Sequence, residues 1–213
     1  MSSRRETGQP DRQRVSFQVT GSEPPEDRFR ACRRMIVGPW LNQPEHYEGY
    51  NGFVGWAAVT RLKSKRWLLT FTSGYWHASY PWTEEIRKDP ACRAVFEKHQ
   101  EIGIPNIWSP RGGRGHIMHS DDEGRSWSKP ETLVDSEHDD RCPTILELSD
   151  GTLLCTWFTI ALPKFVNSWY MRSTDGGRTW SDPVEFPGES FGGFGNGSAI
   201  QLSDTRTQHP ALV

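Results

Sequence analysis

The densest run of groups able to move protons or hold charge is Glu137, His138, Asp139, Asp140 and Arg141, directly ahead of an apolar stretch at 144–148. Carboxyls so placed can exchange protons, and an arginine can grip an anion through two parallel N–H bonds. The same run also reads as a solvated acidic loop with a locally paired arginine. A second concentration is aromatic: Trp76, His77, Tyr80 and Trp82 either stack on a sugar ring or pack on one another as a lid. His116 and His119 form an HxxH pair, but residues three apart on a strand face opposite sides, so no shared metal is expected. The glycines at 192, 193, 195 and 197 lead into a strand and lack the Lys-Ser/Thr of a phosphate loop, which makes them a rim loop. Cys32, Cys92, Cys142 and Cys155 have no CxxC spacing and read as reduced structural thiols. No metal and no cofactor is expected.

The elements that position these groups are short strands. In 213 residues the chain has 10 Trp, 10 Phe, 20 Gly and 15 Pro, the composition of pleated segments joined by tight turns. A formal charge of −2 gives no reason to expect a nucleic-acid partner. No apolar run reaches the roughly 18 residues of a membrane span, and the polar, arginine-rich start has no signal-peptide core. As written the chain is expected in the cytoplasm, or in a secreted or periplasmic setting if the true start differs. Residues 1–28 hold too little apolar area to order themselves and are read as a polar, disordered tail.

Hairpins are expected at 55–62 with 66–73 and at 143–148 with 152–159, each around a polar turn. Each is followed by a third strand, at 115–120 and 168–173, and a fourth, at 131–135 and 183–186. A further hairpin begins at 198–204, repeating Leu-Ser-Asp, but then reads Thr205, Arg206, Thr207 where Gly and an apolar strand would continue it. The excursion at 74–114 is too long for an ordinary loop and is expected to carry a helix over 90–100, capped by Asp89 and opened by Pro90.

Between the third and fourth strands sits one octamer twice: Ser120, Asp122, Gly124, Ser126, Trp127, and Ser173, Asp175, Gly177, Thr179, Trp180. The boxes are 53 residues apart and the Leu-Ser-Asp turns 54, close to the roughly 40–50 residues of known propeller blades. In the octamer a carboxylate can collect turn N–H groups, glycine can take positive φ, and tryptophan can cover the hairpin base. The alternation of strand direction puts the boxes and the hairpin turns at one end of each unit.

These octamers and their phase resemble the Asp-box repeats of the sialidase and neuraminidase superfamily, over about residues 50–204. The resemblance implies an all-β partial propeller: about two blades and the start of a third, of a six-bladed whole, with a short helical insertion. Blade boundaries then fall at 50–136 (insertion 74–114), 137–188 and 189–213, within a propeller region at 29–213. It implies that Asp122 and Asp175 are structural, and that a site lies at the opposite mouth. The residues sorted there are Tyr50, Asn51, Trp76, His77, Tyr80, Trp82, Asp139, Asn167 and Asn196 as substrate contacts. Arg141-Cys142-Pro143 is similar to the family's Arg-Ile-Pro, which implies a carboxylate-holding arginine, although the family motif opens the first blade. Asp140, or Asp139, would be the acid.

The function implied is an exo-acting, sialidase-like glycoside hydrolase for a glycan or glycoconjugate, or else a non-catalytic propeller that binds a glycan or a protein. Two blades and a broken third leave strand edges open, so the chain alone is expected to self-associate and to show little hydrolysis.

Overall fold

Two stretches in which apolar and β-branched residues flank a polar turn fold as hairpins, and each hairpin is extended by two more strands. The computed structural model describes residues 35–38, 53–75, 80–81, 83–102, 108–109, 111–162, 165–186 and 199–201, all within the unit Met35–Val213. In the first sheet β1 (Phe53–Arg61), β2 (Trp67–Gly74), β5 (Arg114–Ser120) and β6 (Glu131–Val134) lie in that order, each antiparallel to its neighbour. The second repeats this with β7 (Asp139–Glu147), β8 (Leu153–Ala161), β9 (Phe165–Ser173) and β10 (Val184–Glu185). The fold is mostly β, and the described residues close no ring.

The excursion carries the expected helix, α2 (Pro90–Glu101), with Asp89 Oδ1 accepting from the N–H groups of Ala91 and Cys92. It also holds elements the sequence reading missed: α1 (Glu84–Lys88), capped by Thr83, and a two-residue parallel pairing of β3 (Tyr80–Pro81) with β4 (Trp108–Ser109).

The two hairpin turns have the same geometry. Leu62 and Leu148 donate to Arg66 and Thr152 carbonyls, both at 2.8 Å, and the third turn residue bonds back to the leucine carbonyl. That residue is left-handed in both, Gly151 at φ 88° and Lys65 at φ 72°. Only the second turn uses the residue without a Cβ penalty.

The two octamers share the bonds made by their serine, carboxylate and hydroxyl residue, and differ in that Trp127 Nε1 donates to Gly124 O (3.1 Å) and Arg178 N–H donates to Asp175 Oδ1 (2.9 Å). Ser120 Oγ donates to Asp122 Oδ1 (2.8 Å) and accepts Gly124 N–H (2.8 Å); Ser173 does the same with Asp175 and Gly177 at 2.8 and 2.9 Å. The carboxylates then take the N–H and hydroxyl of Ser126 (2.8 and 2.6 Å) and of Thr179 (2.9 and 2.6 Å). Gly124 and Gly177 sit at φ 82° and 88°. The Ser126 hydroxyl first, then its N–H and the Ser120 hydroxyl, hold Asp122 down at about 2, and Thr179 likewise holds Asp175 well below the carboxylate range. Each tryptophan is turned inward: Trp127 packs on Leu69, Phe71 and Met118, Trp180 on the core between the sheets.

That inter-sheet core joins Leu62, Leu68 and Val134 of the first unit to Ile145, Leu153, Cys155, Trp157 and Met171 of the second. On the other face of the first sheet, Ile36 and Val37 pack against Leu69, Phe71 and Met118. β2 is therefore buried on both sides, which explains its run of seven buried residues. Three threonines of the first sheet reach β7: Thr60 Oγ1 donates to Ile145 O (2.6 Å), Thr70 Oγ1 to Pro143 O (2.5 Å), and Thr72 Oγ1 accepts Cys142 N–H (2.9 Å).

The turns are also linked from unit to unit. Lys63 N–H donates to Glu147 Oε2 at 2.6 Å, and the corresponding Ser149 N–H donates to Gln201 Oε1 at 2.7 Å. Gln201 lies 54 residues after Glu147, and each accepts the amide of a hairpin turn in the preceding sheet.

Acid and denaturant unfolding both report on these bonds. An Asp122 carboxylate depressed from 3.8 to about 2 stabilises the fold above its unfolded value, and that contribution disappears as pH falls through about 2. Asp122→Asn with Asp175→Asn should lower the melting temperature at neutral pH and flatten the acid limb below about pH 4 in circular-dichroism melts. Thr70→Val leaves the Pro143 carbonyl without its donor and should cost roughly 1–3 kcal/mol in urea unfolding. Val59→Thr, on an exposed position, should change stability by less than about 0.5 kcal/mol.

Candidate functional site

The first strand of each sheet carries the same irregularity. β1 bulges between Gly55 and Ala58 with Trp56 at φ 52°, and β7 bulges between Arg141 and Thr144 with Cys142 at φ 53°. A bulge adds one residue to a strand and re-aims the side chains beside it. In β7 the residue before the bulge is Arg141; in β1 it is Gly55.

The head of β7 is closed by backbone. A Cβ on Gly112 would lie 1.7 Å from His138 O, and one on Gly113 would lie 2.5 Å from Asp139 Oδ1. Only glycine permits that approach. It lets Gly113 N–H donate to Asp139 Oδ1 (2.8 Å) while Gly113 O accepts Asp140 N–H (3.0 Å). The other Asp139 oxygen takes Arg141 Nη2 at 2.5 Å, and the guanidinium carbon lies 4.8 Å from the centre of the Trp56 ring. Asp139 and Asp140 are 0% exposed and Arg141 2%. The solvated-loop reading therefore fails for both aspartates, and only Glu137 of the three acids is exposed.

Asp140 points away from that pair, as alternation along a strand requires. It accepts from Ser136 N–H (2.6 Å) and Thr159 Oγ1 (2.7 Å), and burial raises its pKa against the pull of those bonds. Asp140, Thr159 and Asn167 stand in one row across β7, β8 and β9. The structure thus brings together Asp139, Asp140 and Arg141, with Asn167 two strands away. Tyr50, Asn51, Trp76, His77, Trp82 and Asn196 lie outside the described residues, as do residues 1–28; of Tyr80 only its place in β3 is described.

Further polar and ionisable groups pack nearby. Ser73 Oγ and His116 Nε2 are 2.6 Å apart, both buried, with the imidazole stacked on Phe71. Arg111 and Arg114 both reach the Asp135 carboxylate, at 3.2 and 3.0 Å. Burial pushes the Cys142 thiol up to about 12 and raises Cys155 as well, which suppresses thiolate chemistry at both. Among the described residues no three His, Cys, Asp or Glu side chains are grouped to hold a metal ion.

Sequence reasoning missed Trp56, Gly112, Gly113, Ser136 and Thr159. The Gly-Gly pair between Arg111 and Arg114 was the available signal, since adjacent glycines beside a strand mark close backbone approach.

No family model and no curated protein matches the sequence. Among solved structures, the chain is similar to a protein of unknown function from Dyadobacter fermentans DSM 18053 (22% identity, 66% of this chain, 38% of that one, TM-score 0.40). It is similar to the Hadza microbial sialidase Hz136 (19% identity, 62% and 24% of the two chains, TM-score 0.41). A third is an ulvan lyase bound to -[GlcA(1-4)Rha3S]- (15% identity, 61% and 24%, TM-score 0.35). The chain spans between 24% and 38% of the length of these proteins.

Arg141→Met removes the cation from a carboxylate that stays buried, and should cost roughly 3–5 kcal/mol in urea unfolding. Adding Asp139→Leu should recover part of that loss. Strict additivity of the two changes would show that the pair is not coupled.

Proposed function

We propose that this chain is part of a sialidase-like, Asp-box β-propeller whose mouth handles a glycan. In this reading a tail at 1–28 precedes the propeller at 29–213, with blades at 50–136 and 137–188 and a third begun at 189. The observation that carries it is the link between turns made twice, from Lys63 N–H to Glu147 and from Ser149 N–H to Gln201. The same docking repeated one unit further along is what a radial array of sheets requires. The serine–carboxylate–glycine bonding common to the two octamers supports it.

The leading reaction is exo-acting glycoside hydrolysis, with Asp140 as proton donor and Arg141 holding the substrate's acidic group. A carboxyl whose pKa is raised by burial suits the first role. Both roles require movement, because a substrate carboxylate must displace Asp139 from Arg141, and the turn at Ser136 must lift from Asp140. The internal Asp139–Arg141 pair favours the second reading, a non-catalytic propeller that binds a glycan or a protein. Tyr50, Asn51, Trp76, His77, Tyr80, Trp82, Asn167 and Asn196 complete the proposed mouth. Among the described residues β10 is paired on one side only, and self-association through such an edge belongs to the same proposal.

The test is fluorophore release from sialosides and neutral glycosides, run beside glycan-array binding, with Asp140→Asn as the comparison. The 213-residue chain is expected to bind glycans and to release little fluorophore. Strong release lost in the variant assigns the hydrolase reading, and binding without release assigns the other. A folded chain that does neither overturns the glycan assignment.

A further inference from the structure

Between the outer strand of the first sheet and the facing side of the second lies an open cleft of about 530 Å³. That volume falls within the roughly 300–1,000 Å³ of small-molecule sites, which are mostly apolar with a few polar groups. Its apolar wall is built from Trp157 and Trp169, stacked with centroids 6.5 Å apart, together with Met171 and Leu133. None of these four belongs to the proposed mouth.

The ionisable side chains that line the cleft are mostly acidic, and two arginines, Arg111 and Arg114, stand behind them against Asp135. The lining includes Asp135, Glu137 and Asp140 with His138, and neither lysine nor arginine. Asp135 is held by Arg111 and Arg114, and Asp140 is enclosed by its bonds to Ser136 and Thr159. Glu137 differs from both: its side chain is 87% exposed, and His138 Nε2 lies 3.7 Å from Oε1. An apolar, indole-lined wall below an exposed carboxylate favours a ligand with an apolar ring at one end and a positive charge at the other.

We propose that this cleft is a binding site for a small organic cation, a ring-bearing ammonium whose ring lies against Trp169 and Met171 and whose charge meets Glu137. The site does not depend on the glycan reading: it needs neither Arg141 nor Asp139, and Asp140, the one residue common to both, is already occupied by Ser136 and Thr159.

The experiment is a titration of the whole chain with benzyltrimethylammonium, benzyl alcohol and benzoate, followed by tryptophan fluorescence and indole N–H chemical shifts. The ammonium should bind saturably, about fivefold more tightly than the alcohol, with benzoate weakest. Glu137→Gln, at an exposed position, should weaken the ammonium about threefold and leave the alcohol unchanged. Trp169→Phe should weaken both. Equal affinity for the three probes, an ammonium affinity indifferent to Glu137, or no saturable binding in the unsubstituted chain would each overturn the proposal.

Discussion

A strand at the margin of a sheet must still satisfy its backbone, and β7 is such a strand: among the described residues its sheet continues on one side only. The first sheet supplies what is missing through side chains, with Thr60, Thr70 and Thr72 bonding Ile145 O, Pro143 O and Cys142 N–H. Much else depends on this contact. Hydroxyls must alternate with apolar residues along β2, so Leu69 and Phe71 are left for the opposite face and its packing on Ile36 and Val37. Cys142 meets Thr72 from a left-handed conformation, and the bulge that creates it fixes where Arg141 stands.

The same strand serves two surroundings because its side chains alternate. Asp139 and Arg141 neutralise one another beneath the Gly112–Gly113 backbone, whereas Asp140 fastens the turn at Ser136 to β8. Two adjacent aspartates thus meet different partners, one a guanidinium and a backbone N–H, the other hydroxyl and amide donors. Position in the pleat, rather than residue type, separates them.

The hairpins, the octamers and α2 were legible in the sequence because their determinants are local: a polar turn between apolar runs, a carboxylate four residues from its hydroxyl partner, an Asp-Pro pair at a helix start. The closing of the site was not legible. A run of acids reads by composition as a solvated loop, while the donor that encloses Asp139 is a backbone N–H 26 residues earlier, and the ring beside Arg141 comes from the first sheet. The parallel pairing of Tyr80 with Trp108 escaped for a related reason, since two residues give no period to read. The hydroxyls that bind β7 were equally hidden: each of Thr60, Thr70 and Thr72 suits a strand on propensity alone, and nothing nearby in the chain names its partner.

The link between turns has a consequence for how such a repeat can diverge. A backbone amide needs an oxygen at the facing position and is indifferent to its formal charge, so glutamate at 147 and glutamine at 201 do the same task. Local differences adjust around it: the Lys63 ammonium bonds the Leu148 and Ser149 carbonyls, while the Gln201 amide bonds the Ser149 hydroxyl. The repeat is written in acceptor atoms more than in residue identities, and its geometry can outlast the resemblance of its letters.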